Sequence, residues 1–150
     1  MDAAAVSVQE ADFDAGHELA QLRAAGDVGA VASFVGAVRG DGAVTDLELE
    51  HYPGMTEASI AAIIEAASRR WPLLAVRVIH RVGHLRLGDQ IVFVGVASQH
   101  RDAAFAACEF LMDYLKTRAP LWKKEHTAGG ARWVDARASD EDAAARWREG

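Results

Sequence analysis

Cysteine is almost absent from this chain, because Cys108 is the only one among 150 residues. A single cysteine cannot form a disulfide within the chain, so the sequence excludes the small secreted folds that disulfides stabilise. A reducing environment suits such a protein best. We therefore expect a cytoplasmic protein.

Basic residues are also few, with 16 lysines and arginines against 22 aspartates and glutamates and a formal net charge of -6. An acidic chain does not present the broad basic face that binding to a nucleic-acid backbone requires. Nucleic acid is therefore not an expected partner. A site for a small anion must depend on a few locally placed cations.

Several recognisable segments are missing as well. The start, Met1-Asp2-Ala3, does not resemble a basic and apolar leader, and no uncharged apolar run reaches the length of a membrane span. The chain has no Walker or dinucleotide glycine motif. Ser98, His100 and Asp102 suggest a hydrolase, but no serine lies in a G-x-S-x-G elbow. We expect a soluble protein outside these classes, with no membrane partner.

Hydrophobic residues make up 51% of the chain, enough for one buried core at the usual length of a single domain. We expect one domain over residues 1–150, with 139–150 as a loosely attached helical tail. Apolar residues at helical spacing predict three further helices. They cover 14–25, the segment from an N-cap at Thr56 to Trp71, and 102–118, which Pro120 ends.

Five segments have the apolar pattern of β-strands, namely 29–38, 44–52, 75–85, 91–97 and 131–136. The first two are separated by the turn at 40–42 and are predicted to form a hairpin. The residues from Trp122 to Lys124 are predicted to lie in a loop. Helices between hairpin-joined strands predict an α+β fold with a mainly antiparallel sheet and flanking helices.

Basic residues stand at the ends of two predicted strands. Arg39 follows the first apolar strand, and His100 and Arg101 lie where a later strand becomes a helix. A helix N-terminus adds amide donors and a partial positive charge, so these residues are candidates for holding a phosphate or carboxylate. Alternatively, Asp102 caps the helix itself, and spacing alone does not decide between the two.

A second group of cations surrounds Pro120. On one continuous helix, Lys116 and Lys123 would lie about 10 Å apart on one face, but the proline prevents that helix. The chain must bend there, so Lys123 and Lys124 can fold back toward Lys116. Alternatively, Lys116 and Arg118 only complement the helix dipole. Charge and spacing alone favour this second interpretation, because charged helix ends are common.

Two other kinds of reactive side chain carry weaker patterns. His80 and His84 would lie roughly 13 Å apart on one strand, too far to share a zinc ion unless Gly83 forms a bulge. We therefore expect no metal site, and a hydrogen-bonded core or rim position for His80. Cys108 lies on the apolar stripe of its helix, which is typical of a packing residue and not of a nucleophile.

Five segments follow one another along the chain: 34–39 (FVGAVR), 49–57 (LEHYPGMTE), 88–101 (GDQIVFVGVASQHR), 112–125 (MDYLKTRAPLWKKE) and 132–137 (RWVDAR). Taken together and in this order, they resemble the large, catalytic subunit of molybdopterin synthase. Five matches with similar spacing are more specific than any single one. The resemblance favours the interpretation in which the lysines converge.

The resemblance implies the family's α/β hammerhead-type fold and a sulfurtransferase that forms a homodimer. A small ubiquitin-like sulfur carrier would bind at each end of this dimer and complete a heterotetramer. The thiocarboxylate of the carrier's C-terminal Gly-Gly would give sulfur to cyclic pyranopterin monophosphate. Two transfers would make the dithiolene of molybdopterin in molybdenum cofactor biosynthesis, and no cofactor is implied because the product is itself the pterin of that cofactor.

The family's functional positions fall on nine residues here. Those implied to bind substrate are Ala37, Val38, Arg39, His100, Arg101, Lys116, Lys123, Lys124 and Glu125, and Lys116 and Lys123 are also implied to be catalytic. Both reactants are anionic, and two unit charges about 5 Å apart repel by roughly 3 kcal/mol at an effective dielectric of 20. Guanidinium groups suit the phosphate, and lysines suit an oxyanion or a proton transfer at the reacting centre.

Two functions of other classes remain open from the sequence. The chain could be a non-catalytic adaptor that docks a ubiquitin-like carrier, although the presence of Arg39, Lys116 and Lys123 counts against this. It could also be an unrelated anion-binding or hydrolytic domain, in which case the five matching segments would be a coincidence. A turnover assay with carrier and pterin precursor separates all three functions.

Overall fold

The computed structural model describes residues 5–40, 42, 44–134 and 138–147, with the backbone alone for 138–141. Its helices are Ala15–Arg23 (α1), Met55–Arg70 (α2), Arg101–Arg118 (α3) and Ala138–Ala145 (α4). Its strands are Val6–Gln9 (β1), Ala30–Ala37 (β2), Val44–His51 (β3), Ala75–Arg81 (β4), Gly83–Arg86 (β5), Gln90–Ser98 (β6), Leu121–Thr127 (β7) and Gly130–Val134 (β8). No helix in this part of the chain is long and apolar enough to cross a membrane.

The strands form two sheets. Sheet A has the order β1-β4-β6-β2, and sheet B has the order β5-β3-β7-β8. β1 and β4 are parallel, and the other pairs are antiparallel. The predicted α+β class with mainly antiparallel pairing is confirmed, although two sheets replace the single one expected.

The predicted hairpin of the first two strands is wrong, because β2 and β3 lie in different sheets. β2 pairs along its length with β6, whereas β3 pairs with β5 and β7. β2 consists of small and apolar residues and fits beside the apolar β6. β3 alternates apolar and charged residues, which suits a sheet with one wet face.

Sheet A is covered by helices on both faces. Against α2 and α3 it packs a core that includes Val78, Val94, Ile60 and Leu111. Against α1 it packs a second cluster that includes Phe93. Because β6 is central, its residues from Val92 to Ser98 are all buried, and each large apolar side chain there stabilises the fold by about 1.5–3 kcal/mol.

The predicted strand over 75–85 is interrupted at Gly83. This residue has a φ of 88°, in the left-handed region that favours glycine, and the chain passes there from β4 in sheet A to β5 in sheet B. His80 and His84 consequently lie in different sheets. His84 binds Asp46 at 2.6 Å on the outer face of sheet B, and His80 points toward the helical core.

Two further predictions around sheet B need correction. The residues from Trp122 to Lys124, expected in a loop, belong to β7 at the interior of the sheet. β1 was not predicted. β1 is short and β7 is rich in polar residues. Each can be recognised as a strand only from its pairing with a strand that is distant in sequence. The end of the strand predicted at 131–136 lies outside the described residues.

The helix ends are partly as predicted. α3 ends before Pro120, as predicted. Asp14, predicted as the first residue of α1, lies just before the helix and caps it by accepting the amide of His17 at 3.1 Å. Thr56 is not the N-cap of α2, because Gly54 occupies that position and donates its N–H to Glu57 at 2.9 Å. No side chain caps α3, so Asp102 does not do so.

The C-terminal segment was expected to be loosely attached, but its described part packs on α3. Ala144 is fully buried, and Trp147 lies edge-on to both Trp71 and Phe110. The indole N–H of Trp147 donates to Asp113 at 2.6 Å. Residues 148–150 lie outside the described residues.

His80 is held in the interior in its neutral form. Its Nδ1 lies 2.8 Å from the carbonyl oxygen of Arg81, in agreement with the predicted hydrogen-bonded position. Burial lowers the pKa of His80 to about 4, and the charges of Lys116 and His51 act in the same direction.

This burial predicts a pH dependence of stability. The unfolded chain binds this proton near pH 6.5, and the folded chain binds it only near pH 4, so the free energy of unfolding decreases as pH falls through this window. Between pH 7 and pH 4, we expect the free energy of unfolding to decrease in both proteins, but by roughly 1–3 kcal/mol less in His80→Gln than in the wild type. Urea denaturation at both pH values measures the difference, and equal losses in the two proteins would contradict it.

Candidate active site

Arg39 stands at the point where sheet A meets sheet B. The N–H of Val38 donates to the carbonyl of Asp89 at 2.9 Å, and its carbonyl accepts the N–H of Gly88 at 2.8 Å. The Val38 side chain is buried in the junction cluster, which consists of Val38, Val44, Leu47, Leu49, Val82 and Leu85. Ala37 faces Gln90 across the ladder, next to an irregularity at Gly36. Ala37 and Val38 therefore hold the backbone in place, and the Arg39 side chain extends into solvent.

Helix α3 brings Lys116 to the same end of sheet A. The helix begins just beyond the end of β6 and runs back along the sheet for 18 residues, a length of about 27 Å. The charge of Lys116 acts on His80, which pairs with Val92, and Val92 pairs in turn with Gly36. Lys116 therefore lies toward the end of the sheet from which Arg39 emerges, and it is exposed.

Lys123 faces the junction from sheet B. After Pro120 the chain turns into β7, where Lys123 lies opposite Leu49, and Leu121 lies opposite His51. Directly opposed residues of an antiparallel pair point to the same face. Lys123 therefore shares the inner face with Leu49 of the junction cluster and with His51, whose charge also acts on His80. The turn at Pro120 brings the segments of Lys116 and Lys123 together at this junction.

Lys124 does not share this position, contrary to the expectation that the two adjacent lysines act together. Successive residues of a strand point to opposite faces. Lys124 lies opposite Glu48 and Trp133 on the outer face of sheet B, with its Nζ 5.4 Å from the centre of a Trp133 ring. Glu125 returns to the inner face and lies 3.6 Å from Arg132. The sheet therefore separates Lys124 from Lys123 and Glu125.

His100 and Arg101 lie at the opposite end of sheet A. β2 and β6 remain paired from Ala30 opposite Ser98 to Ala37 opposite Gln90, a distance of roughly 23 Å along the strands. Within one copy of the chain, Arg39 is therefore not brought together with His100 and Arg101. The expectation of one cluster of these three residues fails for a single chain, because antiparallel pairing places their segments at opposite ends.

The structure adds residues that the sequence analysis did not select. His51 lies on the inner face of sheet B, and Thr56 is completely buried between the end of β3 and Pro120. His51 continues the alternation of Leu47 and Leu49, so its face was readable from the sequence. The position of Thr56 beside Pro120 was not, because 64 residues separate the two along the chain.

Two potential nucleophiles, Cys108 and Ser98, are buried in the core. Burial raises the pKa of the Cys108 thiol to about 11, so the thiolate is scarce at neutral pH. Ser98 is buried and donates its hydroxyl to the carbonyl of Pro72 at 2.9 Å. In the described ranges, no three histidine, cysteine or carboxylate side chains are arranged to hold a metal ion. The junction therefore offers cationic side chains for binding anions and stabilising an oxyanion.

Known proteins similar to this chain point to one family. The family model described as "MoaE protein" matches residues 8–118. A protein of Ralstonia nicotianae named molybdopterin synthase catalytic subunit is 64% identical over 146 residues, which cover 95% of this chain and 83% of that protein.

Solved structures agree with this finding. A molybdopterin biosynthesis MoaE protein from Burkholderia ambifaria superposes with a TM-score of 0.84 at 54% identity, covering 96% of this chain and 97% of that one. Molybdopterin synthase from Staphylococcus aureus superposes with a TM-score of 0.77 at 30% identity, covering 90% and 98%. Matching in sequence over most of its length and in fold over nearly all of it, this chain belongs to the MoaE protein family.

Proposed function

We propose that this chain is the catalytic subunit of a molybdopterin synthase, a sulfurtransferase of molybdenum cofactor biosynthesis. The observation that carries the proposal is its 64% identity, over 95% of the chain, to a protein of that name. The reaction transfers sulfur from the C-terminal thiocarboxylate of a small carrier protein to cyclic pyranopterin monophosphate. Two transfers produce the dithiolene of molybdopterin.

The sulfur must be delivered by another molecule, because the chain has no suitable thiol of its own. Its one cysteine is buried, and its pKa is raised to about 11. A ubiquitin-like carrier with a Gly-Gly tail meets this need, since glycine has no side chain and can thread into a narrow site. A single unpaired cysteine also suits the reducing cytoplasm, where we place the protein.

Lys116 and Lys123 are the residues proposed to act at the reacting centre. The thiocarboxylate is anionic, and once its sulfur is bonded to the pterin the carrier is attached to it as a thioester. Water attacks the carbonyl carbon of this thioester and an oxyanion forms on its oxygen. The acyl C–S bond then breaks, which frees the carrier as a carboxylate and leaves the sulfur on the pterin. An ammonium group at this position stabilises the oxyanion, and a second one can donate a proton during opening of the pterin ring. The local lysines outweigh the net charge of -6, because distant charges are screened and contacting ones are not.

The binding site for the phosphate is proposed to form between two copies of the chain. β2 is the last strand of sheet A, and no described strand pairs with its outer edge. Phe34 and Val35 on this strand are 41% and 42% exposed, although both are apolar. Antiparallel pairing of two β2 edges about a two-fold axis would place Arg39 of one copy beside Arg101 of the other. The homodimer would thus unite cations that a single chain keeps apart.

The composite site can be tested by mixing two variants that are each impaired at limiting pterin. We expect Arg39→Ala and Arg101→Ala each to raise the concentration of pterin required for turnover. In a mixed dimer one site carries both substitutions and the other carries none. Random reassociation should therefore restore about a quarter of wild-type activity at limiting pterin. No recovery, despite mixed dimers detected by mass spectrometry, would contradict a site built from Arg39 of one copy and Arg101 of the other.

The lysine assignment is tested by substitution and single-turnover kinetics. Lys116→Ala and Lys123→Ala should each reduce the rate of sulfur transfer by roughly 100-fold or more, as expected for loss of an oxyanion-stabilising donor. The melting temperature should change little with Lys116→Ala, because Lys116 is exposed. Lys124→Ala is the matched comparison, because its side chain lies on the opposite face of the same strand. Equal losses in all three variants would contradict the proposed inner-face site.

In the proposed mechanism the folded body of the carrier docks on this chain and the C-terminal tail delivers the sulfur. Truncation of the tail tests these two roles separately. A carrier without its two terminal glycines should still bind, since in this proposal the folded body of the carrier would supply most of the contact area, but it should support no turnover. Calorimetry measures the binding, and the assay of sulfurated pterin measures the activity. This assay also distinguishes a catalyst from a non-catalytic adaptor. Loss of binding on truncation would place the main contact in the tail.

A further inference from the structure

The turn between Lys116 and Lys123 is held by a buried threonine. Thr56 has no exposed surface, and its hydroxyl donates to the carbonyl of Pro120 at 2.9 Å. The same oxygen accepts the backbone N–H of Tyr52, also at 2.9 Å. One side chain therefore joins the end of β3 and the start of α2 to the bend between α3 and β7.

This bend has limited support from its own backbone. Pro120 has no N–H to donate. The described backbone bond at the bend links the amide of Leu121 to the carbonyl of Ala119 at 2.9 Å, within the turn itself. The ladder with β3 holds β7 from Leu121 onward. The contact to the carbonyl of Pro120 fixes the bend itself, between the end of α3 and the start of that ladder.

The hydroxyl of Thr56 closes a ring of connections around the lysines. Lys123 lies opposite Leu49 in β3, β3 leads to Tyr52, and the amide of Tyr52 binds Thr56. Thr56 in turn binds Pro120, from which the chain continues to Lys123. Loss of the hydroxyl would open this ring at the bend itself, while the ladder between β3 and β7 would remain.

We propose that Thr56 is a positioning residue for sulfur transfer, whose hydroxyl sets the relative placement of Lys116 and Lys123 by holding Pro120. This inference rests on the proposed function. Thr56 is buried and has no access to substrate, so it acts through the bend alone. A threonine that contributed only to stability would change the melting temperature and leave the chemical step of the folded enzyme unchanged.

Thr56→Val is the decisive variant, because valine keeps the shape of threonine and removes the hydroxyl. A displacement of catalytic groups by about 1 Å can reduce a rate by 100-fold, so we expect the single-turnover rate to fall by roughly 10- to 100-fold. The dissociation constant of the carrier should not change. Thr56→Ser keeps the hydroxyl and should recover most of the rate.

Ile64→Val provides a matched control on the same helix. Ile64 is 1% exposed, and its truncation lowers stability without removing a hydrogen bond at the bend. We expect it to lower the melting temperature and to keep the wild-type rate. If Thr56→Val does not fold at the assay temperature, Thr56→Cys replaces it, because a thiol of similar size is a weak donor. The same decrease in rate is expected.

Two results would overturn the inference. One is a folded Thr56→Val or Thr56→Cys enzyme with the wild-type rate, and the other is an equal decrease in rate for Ile64→Val. Lys116→Ala in the same assay separates this inference from the proposed function. An inactive Lys116→Ala together with a fully active Thr56→Val would refute the role of Thr56 and leave the proposed function standing. A wild-type chain without turnover would overturn the proposed function and this inference with it.

Discussion

The passage of the chain from one sheet to the other at Gly83 is the constraint on which the rest of the structure depends. The left-handed backbone there ends β4, and the N–H of the preceding residue, Val82, donates to the carbonyl of Gln9 at 2.9 Å. β5 then starts the second sheet, and the junction cluster fills the space between the two sheets. A continuous strand would have left no junction. The proposed reacting centre lies against this junction, so the turn at Gly83 is one of the features that form it.

Electrostatics at the junction depends on location more than on total charge. The chain is acidic overall, yet Arg39, Lys116 and Lys123 all belong to segments that reach this region. His80 adds no positive charge, because burial keeps it neutral at physiological pH. The charge of Lys124 lies on the other face of sheet B, where its ammonium group makes a cation–π contact with Trp133. Successive side chains of a strand point to opposite faces of the sheet, so of the two adjacent lysines only Lys123 faces the proposed site.

Much of the fold followed from local patterns. The apolar spacing in α1, α2 and α3 and the apolar run of β6 all depend on residues close in sequence, and each was predicted near its observed position. β7 and the partner of β2 were not. Strand pairing depends on residues far apart in sequence, and Trp122 to Glu125 have no alternating apolar pattern to mark them as a strand.

For the site, the sequence by itself determined which residues carry charge and which family they resemble, because five short segments in order are independent of the fold. It also determined that Pro120 must bend the chain, since proline cannot continue a helix. Only the tertiary structure decided that Lys123 and Lys124 separate and that His100 and Arg101 lie far from Arg39 within one chain. The physical reason is that antiparallel pairing and strand alternation set direction and face, and both depend on long-range partners that the local sequence does not specify.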